Sequence, residues 1–452
     1  MIGALLCVLS FAAVVIAAQR SRGHAIVVLM GVGYTYGIVR ARYLDGATHF
    51  TFDVALLGLY VSEFARRHGP AELAVAAPIK RWVLALIAWP VVCVLYSPLV
   101  DGPHIFIQLV GLRAWILMIP LGIVGARLCK ADLRVIAKAV AFLNVVALGF
   151  AVVEIRYGVA TFFPDGAASQ IIYASQDVGE DLLFRIPSTF SSAAAYGGTV
   201  LLSIPFLFDL FQRRESRVDG WVATVGIFSA GVGVFACAAR GPVVELAIAF
   251  VVVLLTTRPS PRNAVAFAAV ASGVTAIVLS SEQFQRFMTL SDTEYVRERI
   301  AGSLNMSFFD IVSQYPFGAG LGSAFGTSIP FFLWQYARPP IGIESEYGRI
   351  AVEQGIFGLL LWSSFVAWLI VPRLSGRSEF SPIAARMSWA LVMAVWGSAL
   401  IGAGMLASIP GTAFVMLLSG TVAASFAPGR LASGIRDADV SGITAAERAT
   451  AS

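Results

Sequence analysis

Residues 221–257 read WVATVGIFSAGVGVFACAARGPVVELAIAFVVVLLTT, and this run decides the fold. Two apolar segments, 221–238 and 242–257, stand back to back, with Arg240 between them and Glu245 the one other charge. Each approaches the roughly 20 residues that a helix needs to cross a bilayer core. Pro242 suits the first turn of the second helix, where no N–H is required. A guanidinium at the membrane edge is costly unless paired or solvated, which makes Arg240 a candidate functional residue. The plainer alternative is an arginine snorkelling to the interface.

The rest of the chain repeats this pattern. It is 58% hydrophobic and 13% charged over 452 residues, with a mean hydropathy of +0.80. A soluble domain carries about 25% charged residues. The composition therefore predicts an all-α polytopic membrane protein of about 12–13 spans. The ten-residue alternation of an outer-membrane barrel is missing. Candidate spans are 2–18, 25–39, 53–65, 82–97, 105–125, 135–155, 193–211, 221–238, 242–257, 264–281, 346–371, 387–406 and 409–426. Residues 1–426 read as one transmembrane catalytic domain, and the small, polar segment 427–452 as a disordered cytoplasmic tail. Cys7, Cys93, Cys129 and Cys237 lie in or beside apolar segments, so no disulfide framework is expected. The N-terminus lacks a basic n-region and reads as a first span, not a cleaved signal.

Lys and Arg concentrate in cytoplasmic loops. Here the basic clusters fall in every second loop, and Lys80, Lys130 and Lys138, the only lysines, share that side. The alternation places the N-terminus outside and the C-terminus inside. The net charge of +5 is scattered over short loops and reports topology, with no nucleic-acid partner implied. Segment 282–345 becomes one large extracytoplasmic loop containing amphipathic helices. Arg40, Arg42, Arg156, Arg185, Arg240, Arg286, Arg297, Arg299 and Arg338 all lie on this outer side, against the bias. They are candidate anion binders, with local ion pairs or lipid headgroups as the alternative partners.

Four stretches carry chemistry. In YVRERIAGSLNMSFFDIVSQYPFGAGLGSAFG, the residues Ile300, Leu304, Phe308, Ile311 and Tyr315 recur at helical spacing up to Pro316. Arg297 and Arg299 stand at the helix start, off the apolar stripe, and their forks match phosphate oxygens. Glu294 and Glu298 are the alternative partners. The glycines 318, 320, 322 and 326 permit close backbone approach, though no strand or Gly-Lys-Ser/Thr makes this a nucleotide loop. In IESEYGRIAVEQGIFGLLLW, the spacing of Glu346, Arg349 and Glu353 predicts a helical ion-pair row with a structural role. Glu344 falls off that row beside Tyr347, where partial desolvation suits a general base; a helix N-terminal carboxylate is the plainer reading. RIPSTFSSAAAYGG leads from Arg185 into a span with Ser and Thr that cap a helix or line a sugar site. Asp177, Glu180 and Asp181 precede it and read as solvated more readily than as metal ligands. None of His24, His49, His68 and His104 lies in the large loop, so that loop holds no histidine triad. No metal or cofactor site is read from the chain.

In their order, these stretches resemble the O-antigen ligase and polymerase family of bacterial envelope glycosyltransferases, over about residues 183 to 371. The resemblance implies a helical, metal-independent inverting transferase of the inner (plasma) membrane, with its active site on the periplasmic side. It uses an undecaprenyl-pyrophosphate-linked oligosaccharide donor and needs no nucleotide. Arg240, Arg299 and Arg297 would hold the pyrophosphate, with Arg185, Tyr347 and Arg338 around the substrate. Ligases of the family usually carry His nine residues before the Glu of an E-x-G element. With Glu353 and Gly355 as that element, the position is Glu344, the catalytic residue by resemblance. The departure from His favours a polymerase of O-antigen or exopolysaccharide repeats, with membrane lipid and a chain-length regulator as partners. The alternatives are a ligase to lipid A-core, and a flippase or secondary transporter, which would place ionisable residues in mid-membrane.

Overall fold

A computed structural model describes residues 2–43, 46–100, 102–164, 174–175, 183–256, 293–294, 297, 308–324, 331–337, 341, 343, 345–371, 379–402, 406 and 408–426. The chain is an all-α polytopic membrane protein. Helices α1 (Ile2–Arg20), α2 (Arg22–Arg42), α3 (Thr51–Ala65), α4 (Pro70–Tyr96), α5 (Ile105–Ile116), α6 (Leu121–Ala126) and α7 (Lys130–Tyr157) come first. Next come α8 (Ala193–Gln212), α9 (Arg217–Ala236), α10 (Arg240–Thr256) and α11 (Phe308–Gln314). The last are α12 (Glu346–Ile370), α13 (Pro382–Ser398) and α14 (Gly411–Ala424).

Among the described residues eight segments are long and apolar enough to cross a membrane: α1, α2, Pro70–Val100, Ile105–Ala126, α7, α8, α9 and α12. The helices α3, α10, α13 and α14 coincide with further expected spans but are shorter, at 15, 17, 17 and 14 residues. The expected span 264–281 and the tail 427–452 lie outside the described residues, as does most of the large loop.

Serine caps start four of the helices. Ser21, Ser192, Ser216 and Ser345 each accept a backbone N–H from the first turn that follows, as N-cap residues do. One expectation is corrected. The span predicted at 82–97 starts at Pro70, because Lys80 and Arg81 are strong helix formers and stay in the helix as exposed residues. The span expected at 105–125 is present as Ile105–Ala126, its helix interrupted ahead of Pro120, which cannot donate into a helical ladder.

The core is built around α14, in which every residue from Gly411 to Ala423 is buried. It packs on α4, α6, α8 and α13, and α8 in turn contacts α7, α9 and α10. Small residues bring backbones together without a hydrophobic driving force, as in bilayers generally. A Cβ on Gly420 would stand 2.1 Å from the Gly122 carbonyl oxygen. Apolar side chains cover the outside: Val8 and Ile16 of α1 are each 63% exposed and Phe228 of α9 is 68% exposed. A soluble surface does not tolerate such continuous patches, whereas lipid tails do.

Candidate site at the Arg240 end of the bundle

One end of the bundle gathers the C-terminal ends of α2, α4, α7, α9 and α13 with the N-terminal ends of α3, α5, α8, α10, α12 and α14. Local contacts fix this gathering. Residues 185–192 lie across it: Ile38 N–H donates to the Thr189 carbonyl at 3.1 Å, and Ser188 N–H donates to Glu154 Oε2 at 2.7 Å. The turn between α9 and α10 reaches α8, where a Cβ on Gly197 would fall 2.5 Å from Cys237 Sγ and 3.0 Å from Pro242. Ser398 at the end of α13 donates to Glu245 of α10 at 2.5 Å. The first N–H of α12, on Glu346, reaches the Ala399 carbonyl at 2.9 Å.

The glycine-rich turn inserts into this end and meets a break in α12. Gly355 has φ 67° and ψ −170°, which interrupts the helix. An interruption frees backbone groups that lipid cannot satisfy, so it must be buried in protein. The turn supplies the partners: Ala319 N–H donates to the Val352 carbonyl at 2.6 Å, and Ile356 N–H donates to the Pro316 carbonyl at 3.0 Å. Gly318, Gly320 and Gly322 adopt φ of 86°, 92° and 80° to make the approach, so three of the four expected glycines are required by conformation. Tyr96 hydroxyl hydrogen-bonds the Phe317 carbonyl, and Trp89 indole donates to the Gln354 carbonyl at 3.0 Å.

Of the expected ion-pair row, the Glu346–Arg349 pair forms, at 2.8 Å, and both residues are fully buried, as are Glu353 and Gln354. Glu353 accepts the Trp115 indole N–H at 2.5 Å, and the Arg349 guanidinium stands 4.2 Å over the Trp115 ring. The row lies inside the bundle because α5 and the glycine-rich turn cover it. The three Arg349 guanidinium nitrogens find no well-aligned hydrogen-bond acceptor among the described residues.

The predicted site residues divide. Arg185 is half-buried at the start of the crossing segment, Arg240 is half-buried at the start of α10, and Tyr347 sits on the first turn of α12. The Tyr347 hydroxyl donates to the Trp396 carbonyl at 3.3 Å. These three share the same end of the bundle, linked through α8, α10 and α13. Arg297 is exposed. Arg299, Arg338 and Glu344 lie outside the described residues, and so do Asp177, Glu180 and Asp181. The expected helix before Pro316 is present as α11, with Ile311 buried; Ile300 and Leu304 lie outside the described residues.

Sequence reading missed a polar cavity at this end. Tyr36, Arg40, Asp53, Arg113 and Ser191 line it, together with Val110, Met118 and Ile409. Asp53 Oδ2 lies 2.6 Å from Arg113 Nε, and the Arg113 guanidinium stands 5.4 Å over the Phe50 ring. The signal was present: Arg113 interrupts the apolar IFIQLVGLRAWILMIP, and charges inside a span rarely lack a purpose. At the opposite end five cations pair with carboxylates close by. Arg22 and Arg66 pair with Glu63, Arg134 and Lys138 with Asp219, and Arg213 with Asp209. No protein-family model matches the chain, and no curated protein matches it either.

Proposed function

We propose that this protein polymerises lipid-linked oligosaccharide repeats into O-antigen or exopolysaccharide, by metal-independent inverting transfer from an undecaprenyl-pyrophosphate donor. The observation that carries the reading is the convergence of Arg40, Arg113, Arg185 and Arg240, from separate segments, on the end of the bundle where the glycine-rich turn docks. Guanidinium groups at the edge of a low-dielectric bundle stabilise phosphate charge more strongly than in water. That end would face the periplasm, as the positive-inside pattern implies.

In this scheme Glu344 takes the proton of an acceptor hydroxyl, whose oxygen attacks the anomeric carbon of the donor sugar. The bond from that carbon to the pyrophosphate oxygen breaks with inversion. Its electron pair stays on the departing diphosphate, where Arg240 and Arg299 offset the charge as oxyanion donors do. Tyr347, Arg185 and Arg338 would line the sugar, and Arg297 would assist the pyrophosphate. A chain-length regulator would act from outside the catalytic chain.

Two other readings remain in the test. A ligase to lipid A-core shares the chemistry and differs in acceptor. Transport of a lipid-linked sugar is favoured by the buried Glu346, Arg349 and Glu353 beside the interrupted α12, since broken helices with buried charges mark many transporters. Deleting the gene separates them. Polymerase loss leaves single repeats on lipid in the outer leaflet, and ligase loss leaves finished polymer on lipid. Accumulation of repeats on the cytoplasmic leaflet would reject both transferase readings.

A further inference from the structure

We propose that the cavity between α2, α3 and α5 is a second phosphate-binding site, which takes the phosphoryl group of an isoprenoid lipid. Its polar wall carries two guanidinium groups and one carboxylate, and so holds net positive charge. Asp53 is committed to Arg113. Arg40 lies one helical turn beyond Tyr36 on the same face and has no carboxylate partner among the described residues. An arginine in such a setting attracts an anion. Ser191 and Tyr36 add hydroxyl groups, while the Tyr36 hydroxyl is oriented by donating to the His49 carbonyl at 3.0 Å.

Size and lining narrow the ligand. The cavity offers about 40 Å³, where a single water needs roughly 10–15 Å³, so a phosphoryl group fits. The remaining wall is apolar, from Val110, Ala114, Leu117, Met118, Leu406 and Ile409. That combination suits an anionic head whose attached chain leaves along the lipid-facing helices. The site is separate from Arg240, which lies on α10 and does not line the cavity. Naming the lipid as the acceptor rests on the polymerase reading, because polymerisation requires two lipid-linked substrates side by side.

Native mass spectrometry of the detergent-solubilised full chain with farnesyl phosphate tests the proposal, with farnesol and inorganic phosphate as competitors. Working in an Arg240→Ala background isolates the cavity from the proposed donor site. There, one equivalent of farnesyl phosphate should remain bound, and Arg40→Gln should weaken it about tenfold to a hundredfold, the range for a hydrogen bond to a charged group. Arg40→Lys should recover part of the affinity. Ala114→Leu, which fills the cavity without removing a charge, should cause a similar loss and stands in if Arg40→Gln misfolds. Unchanged binding in both Arg40→Gln and Ala114→Leu overturns the site. Farnesol competing as well as farnesyl phosphate overturns the phosphate assignment, and inorganic phosphate competing equally overturns the lipid one. Failure of the polymerase reading looks different: wild-type protein and Arg240→Ala would then bind the same number of lipids, while Arg40→Gln would still reduce it.

Discussion

Replacing Gly355 by Ala is the sharpest probe of how this membrane domain is assembled. At φ 67° and ψ −170° the residue occupies a region that side chains avoid. An added Cβ would stand 2.6 Å from both the Pro316 carbonyl oxygen and the Phe317 carbonyl carbon. These are backbone atoms and cannot rotate away. Relieving the contact pushes the glycine-rich turn off α12, and with it go the bonds from Ala319 N–H to the Val352 carbonyl and from Ile356 N–H to the Pro316 carbonyl. Backbone strain of about 1–3 kcal/mol and two hydrogen bonds at about 0.5–1.5 kcal/mol each give a loss of about 2–6 kcal/mol. Unfolding of the purified protein titrated with dodecyl sulfate, followed by tryptophan fluorescence, reads that loss directly. Gly149→Ala serves as the control, since no atom lies within 4 Å of its added Cβ, and it should be neutral or gain up to about 1 kcal/mol. If Gly355→Ala matched wild-type stability, the docking of the turn on a broken helix would be refuted.

Three further outcomes follow from the same contacts and the proposed chemistry. Arg349→Met leaves Glu346 buried without its cation and should cost about 3–5 kcal/mol in the same titration; a change below 1 kcal/mol would deny the pair any structural role. Trp115→Phe keeps most of the packing but removes the N–H that Glu353 accepts, so a loss of about 1–3 kcal/mol is expected, with near-native stability counting against that hydrogen bond. Arg240→Ala and Arg299→Ala should abolish polymer while the protein still reaches the membrane, and Glu344→Gln should stop transfer yet retain donor binding. Normal polymer from any of the three removes that residue from the scheme.

Much of the fold is legible in residue order alone. Apolar runs give the helices, serine caps give the starts of four of them, and Pro316 marks the end of α11. Long-range packing is what sequence spacing hides. Glu346, Arg349 and Glu353 have the spacing of a helical ion-pair row, and nothing local says that Trp115, more than 200 positions away, covers them. Likewise the glycines of YPFGAGLG announce a close approach without naming Gly355 as its target. Arg113 was visible as a charge within an apolar run. Its partner Asp53 was not, because their pairing depends on how α3 and α5 meet.

The central claim is glycosyl transfer driven by a lipid diphosphate held at the arginine-bearing end of the bundle. Purified protein incubated with one defined undecaprenyl-pyrophosphate oligosaccharide, followed by sizing of the products, addresses it most directly. The account predicts a ladder of multiples of the repeat from wild-type protein, and none from Arg240→Ala. A single unextended species from well-folded wild-type protein, or the same ladder from both, would contradict it.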